Sequence, residues 1–102
     1  MAEPQQEQEP NPELEYEVSE EVPTFYCDSV HLNTGVWGAT LYLGEIRPGQ
    51  KPALKVKIKV SPQMLKAIGL LASKHARNYS DRIGPISLPR ELLHAWGLEE
   101  EI

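Results

Sequence analysis

One cysteine, three histidines and a short run of alternating lysines are the residues of this 102-residue chain whose chemistry could define a function. A metal site needs several nitrogen, sulfur or oxygen ligands converging at about 2 Å on one ion. Cys27 and His31 share a strand face, but four residues of strand separate them by roughly 13 Å, too far for joint chelation. His75 falls on a helix and His94 on a short C-terminal segment, and no CxxC or HxxxH pair occurs. The histidines therefore read as packed or solvated side chains and the metal expectation is none. Nucleophilic catalysis needs a nucleophile, a base and an orienting group brought together. Cys27 could in principle meet His75 or His94, yet a lone cysteine among strand aromatics reads as a small core residue. Between residues 23 and 98 the only carboxylates are Asp28, Glu45, Asp81 and Glu91, a poor supply for a paired-carboxylate site. Neither GxGxxG nor GxxxxGK[ST] is present, so no phosphate-cradling loop of those types is encoded. The expectation is a protein that is not an enzyme and takes no cofactor.

Lys55, Lys57 and Lys59 form the one concentrated group, with Arg47 and Lys51 in the loop before them. Their spacing puts all three ammonium groups on one face of a strand, where they could bind an anion such as a phosphate backbone. Solvated lysines opposite an apolar face are also what an ordinary amphipathic strand carries, and no aromatic residue stands between them along the strand to stack bases. Trp37 and Trp96 read as core or interface anchors rather than ligand platforms.

The element that positions the lysines is the clearest in the chain. Leu54, Val56, Ile58 and Val60 alternate with the lysines at a period of two, which predicts a strand over 54–60 with one apolar face. A slip of one residue would bury three ammonium groups, so the register is pinned. Ser61 is a good N-cap and Pro62 suits the first helical position, where no N–H is required. The spacing of Leu65, Ile68, Leu71 or Ala72, His75 and Tyr79 predicts a helix over 62–79 whose apolar stripe can cover a sheet. Met64 and Leu70 extend that surface beyond the need of one sheet, which points to a second subunit.

Upstream, Phe25–Leu32 reads as a first strand with Tyr26, Asp28, Val30 and Leu32 on one face, then a turn over Asn33, Thr34 and Gly35. Val36–Ile46 reads as a second strand with Trp37, Ala39, Leu41 and Leu43 on one face and Thr40 and Tyr42 on the other. Gly38 and Gly44 weaken that run and mark a bulge or a close backbone approach. Arg47–Pro52 is a loop. Downstream, 84–88 is held extended by a glycine and flanking prolines. Pro89 then opens a short helix, 90–96, stopped by Gly97 and anchored by Leu92, Leu93 and Trp96.

Charge is segregated along the chain. Residues 1–22 carry eight carboxylates and no cation, residues 23–98 carry ten Lys and Arg against four carboxylates, and Glu99, Glu100 and Glu101 follow, for a net charge of -5. Like charge, Pro and Gln with few apolar residues cannot offset chain entropy, so 1–22 is expected to be a disordered acidic tail. It reads as solubilising, or alternatively as a competitor that folds back over the basic face. A body of roughly 80 residues buries only about 60% of its unfolded surface, which favours oligomerisation. No run is long and apolar enough to span a membrane, the first residues have neither a basic nor an apolar leader region, and the single cysteine fits a reducing compartment. The expectation is a cytoplasmic protein without membrane partners.

The order of these features is similar to a known one. Tyr26–Val30, Thr40–Gly44, Val60-Ser61-Pro62-Gln63 with Lys66, Asn78-Tyr79 and Gly84–Ile86 carry the likeness. On them, residues 25–86 resemble a prokaryotic family of small domains of unknown function in which a strand ending in Ser-Pro-Gln opens an amphipathic helix. Val60 stands where that family usually has Met, and Leu43-Gly44 where it has Phe-Gly. The resemblance implies a fold and no activity. Ile86-Ser87-Leu88-Pro89-Arg90-Glu91-Leu92-Leu93, with Trp96-Gly97-Leu98, is similar to the strand-Pro-helix segment of swapped-hairpin transcription regulators of antitoxin type, which adds a little weight to DNA binding.

Together these readings predict an α+β domain: a three-stranded antiparallel meander packed by one long helix, a short C-terminal helix and a disordered acidic N-terminal tail. The divisions are 1–22, 23–83 and 84–102. The expected function is a non-enzymatic homo-oligomeric interaction or scaffolding protein, with Met64, Ile68, Leu71 and Trp96 as interface candidates. The alternative is a nucleic-acid-binding or regulatory protein acting through Lys55, Lys57 and Lys59.

Overall fold

In the computed structural model, which describes residues 11–18 and 20–100, the chain is α+β. Strands β1 (Ser29–Gly35), β2 (Gly38–Glu45) and β3 (Ala53–Val60) form one antiparallel sheet in the order β1-β2-β3. Helix α1 (Pro62–Arg82) follows β3 directly, and a short helix, α2 (Arg90–Ala95), comes after an irregular stretch. No helix among the described residues is long and apolar enough to cross a membrane.

The β3–α1 junction forms as its residues dictate. Ser61 stays extended and its Oγ accepts from the Met64 N–H at 3.1 Å, while Pro62 occupies the first turn. At its other end α1 runs to Arg82, three residues past the expected Tyr79, because nothing before Gly84 breaks the backbone.

The first connection is placed differently from the expectation. Asn33, Thr34 and Gly35 lie within β1, and the chain reverses at Val36 and Trp37 between the paired glycines Gly35 and Gly38. Gly38 has φ 135°, and a Cβ there would fall on the Val60 carbonyl oxygen, so both conformation and space demand glycine. The turn therefore slides two residues toward the glycine that can close it. One consequence concerns Trp37: a turn residue does not obey the strand's alternation, and its ring lies beside Lys59 rather than with Ala39 and Leu41. The expected irregularity at Gly44 is present, as a register shift between Leu43 and Gly44 against β3.

The core is thin. Among the described residues the buried apolar side chains are Ala39 and Leu93, with Thr40 the buried polar one. Of the helical elements, α1 meets the sheet chiefly at β2 through its N-terminal half, where Leu65 and Ile68 are half-buried; Leu71, His75 and Tyr79 on the same stripe are exposed. Leu93 of α2 is buried, and Ala95, Trp96 and Leu98 line a cleft of about 300 Å³ with Val30, His31 and Leu32 of β1.

Of the acidic tail, residues 1–10 and Ser19 lie outside the described residues. Residues 11–18 and 20–22 are exposed and carry one 3-10 turn, Pro12–Glu15, whose Asn11 cap accepts from the Glu13 N–H at 3.1 Å. Asn before Pro is a capping pair, which accounts for a turn in so polar a segment.

Candidate functional site: two faces of one sheet

The register sorts the sheet into two unlike faces. Val30, Leu43 and Val56 stand in one row and Leu32, Leu41 and Ile58 in the next, so one face is aliphatic across all three strands. Ala39 and Val60 extend it toward the start of α1. On the opposite face His31, Tyr42 and Lys57 make one row and Asn33, Thr40 and Lys59 the next.

The aliphatic face is incompletely covered. Leu32 and Ile58 are exposed, Leu41, Leu43 and Val56 are half-buried, and α1 carries no buried residue at all. The interface candidates fall at its margins: Met64 and Leu71 are exposed on α1, Ile68 is half-buried on the same side, and Trp96 is half-buried in the cleft against β1. Leu32 is 49% and Ile58 42% exposed, values that belong to surface residues although both side chains are fully apolar.

The lysine face has its own organisation. The Lys57 ammonium lies 5.9 Å from the centre of the Tyr42 ring and the Lys59 ammonium 5.7 Å from that of Trp37. The His31 and Tyr42 rings are 5.8 Å apart with planes inclined at 58°. Lys55 pairs with Glu45 at 3.7 Å, both side chains being well exposed; among the described residues Lys57 and Lys59 have no ion-pair partner. Arg47 donates from Nε and Nη2 to the Lys51 carbonyl at 3.2 and 3.0 Å, which fixes its guanidinium in the loop at the far end of the same hairpin.

Aromatic rings thus stand among the lysines after all. Reading along β3 alone misses them because Tyr42 comes from the neighbouring strand and Trp37 from the turn. The signal was available in the β2–β3 register, which pairs Tyr42 with Lys57 once the loop is placed. Cys27 is half-buried with a free thiol ahead of β1, and His75 and His94 are exposed on different helices. His94 Nδ1 lies 2.7 Å from Glu99 Oε2. Among the described residues no three His, Cys, Asp or Glu side chains gather as a metal-sized group.

No protein-family model, curated protein or solved structure matches the chain.

Proposed function

We propose that this chain is a non-enzymatic, homo-oligomeric interaction or scaffolding protein of the cytoplasm, assembling through the aliphatic face of its sheet and the adjoining stripe of α1. The observation that carries this reading is the row Leu32, Leu41 and Ile58, exposed at both ends and half-buried at Leu41, beside a core whose buried apolar side chains, among the described residues, are Ala39 and Leu93. Apolar surface of this kind is unfavourable in water at about 25 cal/mol per Å², and a contiguous patch is normally covered by a partner.

A second copy is the occupant the surface favours. An aliphatic face is self-complementary and meets its like in a two-fold interface, in which each residue's contact is repeated by symmetry. A stable interface takes about 800 Å² from each protomer. The lysine face stays free in such an assembly, because it lies on the other side of the same strands.

Sedimentation velocity on the full chain over a concentration series is the test. The expected result is a dimer or higher species at tens of micromolar that dissociates on dilution or persists throughout. A monomer at every concentration overturns the proposal.

A further inference from the structure

We infer that the lysine face is a binding platform for single-stranded nucleic acid, on which Tyr42 and Trp37 stack bases while Lys57 and Lys59 meet the flanking phosphates. This goes beyond the assembly proposed above and uses the opposite side of the sheet.

Proteins that hold a single strand combine a cationic track for the backbone with aromatic side chains for the bases, since every base has a π-face. Both are present here, and they alternate. Tyr42 on the central strand is flanked by His31 and Lys57, and one row on, Thr40 is flanked by Asn33 and Lys59. Trp37 closes the line at the hairpin end beside Lys59. Successive rows on one face are separated by two residues, about 7 Å, and the whole of β2 by roughly 24 Å, which suits the short end of the site sizes known for sheet platforms, about 4 nucleotides.

Trp37 is the strongest single indication. Its side chain is 51% exposed, although an indole is among the most costly rings to leave in water. It is also held down on the sheet: a Cβ at Gly35 would stand only 2.9 Å from Trp37 Nε1, so the ring lies over Gly35 in space that any other residue would fill. An indole fixed against the hairpin and left half open is placed for a stacking partner rather than for the core.

Charge completes the match. Lys57 and Lys59 make no ion pair among the described residues, so phosphates would not have to displace a carboxylate there. Arg47 and Lys51 add two further cations in the β2–β3 loop. A duplex would offer this flat face only its phosphates, whereas an unpaired strand offers bases to the rings as well. Tyr42 is half-buried and Thr40 buried, so the side chains of the central strand are held in place.

Fluorescence anisotropy on the full chain, with labelled twelve-nucleotide oligo-dT and oligo-U, unlabelled duplex and polyglutamate as competitors, and salt at 50 and 200 mM, tests this. The expected result is binding of at least one single strand at low salt, displaced by single strand far better than by duplex or polyglutamate. Trp37→Ala weakens it roughly tenfold with the salt dependence unchanged. Trp37→Phe retains most of the affinity. Lys57→Ala with Lys59→Ala weakens it and lowers the salt slope by about one to two. Circular dichroism and sedimentation of each variant should match the parent, which separates loss of the site from loss of fold or assembly. No binding to either strand at low salt overturns the inference. So does binding that polyglutamate displaces equally well and that Trp37→Ala leaves unchanged, since charge alone would then account for it.

Discussion

The two faces of the sheet share the same three strands and leave opposite things unsatisfied. On one side aliphatic rows run from β1 to β3 with too little helix to cover them; on the other, cations and rings alternate with little to neutralise them. A strand period of two makes such a division possible, because every residue added to one face is paid for by none on the other. The contrast teaches that exposure on the two sides has different physical meaning. Exposed apolar area raises the free energy of the isolated chain and drives it toward any apolar partner. Exposed lysine costs nothing in water, so the lysine face becomes informative only through the rings that stand among its charges.

The most damaging way to break the comparison is to remove the element on which both faces depend. Gly38 sets the hairpin end, with φ 135° and a Cβ position occupied by the Val60 carbonyl oxygen. Gly38→Val adds a strained backbone to a clash with an adjacent strand, and each alone costs of order 1–3 kcal/mol. We expect a loss of about 3 kcal/mol or more, measured as the shift in a urea unfolding transition, with Trp37 and Ala39 both losing their places. A shift under about 1 kcal/mol would mean that the β2–β3 register does not depend on that close approach.

How far this was legible beforehand differs between the faces. The alternation of Leu54, Val56, Ile58 and Val60 with three lysines and the Ser61-Pro62 start located β3 and α1 to within one residue where they meet. That information is local: strand period and helix capping are set by neighbours in the chain. The position of the first turn was not legible in the same way. Asn33-Thr34-Gly35 has good turn chemistry, but Gly38 can meet the Val60 carbonyl only once β3 is alongside, and that pairing decided the register. The aromatic residues of the lysine face were hidden for the same reason. Along the chain Tyr42 and Lys57 are fifteen residues apart, and only the antiparallel register makes them neighbours. Met64 and Leu70 read as apolar helix surface beyond what one sheet needs, and both are exposed. The exposure of Leu71, His75 and Tyr79 was not legible, because an amphipathic stripe shows which side of a helix is apolar without showing whether anything lies against it.

A second substitution separates the faces instead of destroying both. Ile58 is exposed on the aliphatic side of β3, at the edge of the sheet, between Lys57 and Lys59 on the other side. Ile58→Glu buries a carboxylate in the proposed interface and leaves the isolated chain nearly unaffected, since water already reaches the position. The dissociation constant of the assembly should rise at least a hundredfold, about 2.7 kcal/mol, read by sedimentation equilibrium. Binding at the lysine face should change far less. If the variant assembles as tightly as the parent, the interface lies elsewhere, and the exposed stripe of Met64 and Leu71 on α1 becomes the surface to alter next.

The smallest effect is expected at the one ion pair of the lysine face. Lys55 and Glu45 sit 3.7 Å apart with side chains 37% and 47% exposed, next to the register shift at Leu43 and Gly44. Water screens such a pair, and ordering two long side chains costs rotamer freedom, so a double-mutant cycle with Lys55→Ala and Glu45→Ala should give a coupling below about 1 kcal/mol in urea unfolding. Glu45 nevertheless matters to the contrast between the faces. It is the carboxylate that neutralises a lysine of β3, so Glu45→Ala should leave stability almost unchanged while adding a free cation to the track, and single-strand affinity should rise modestly with a steeper salt slope. A coupling well above 1 kcal/mol would instead make Lys55 a structural residue. The functional charge of the strand would then narrow to Lys57 and Lys59, the two lysines that lie beside aromatic rings.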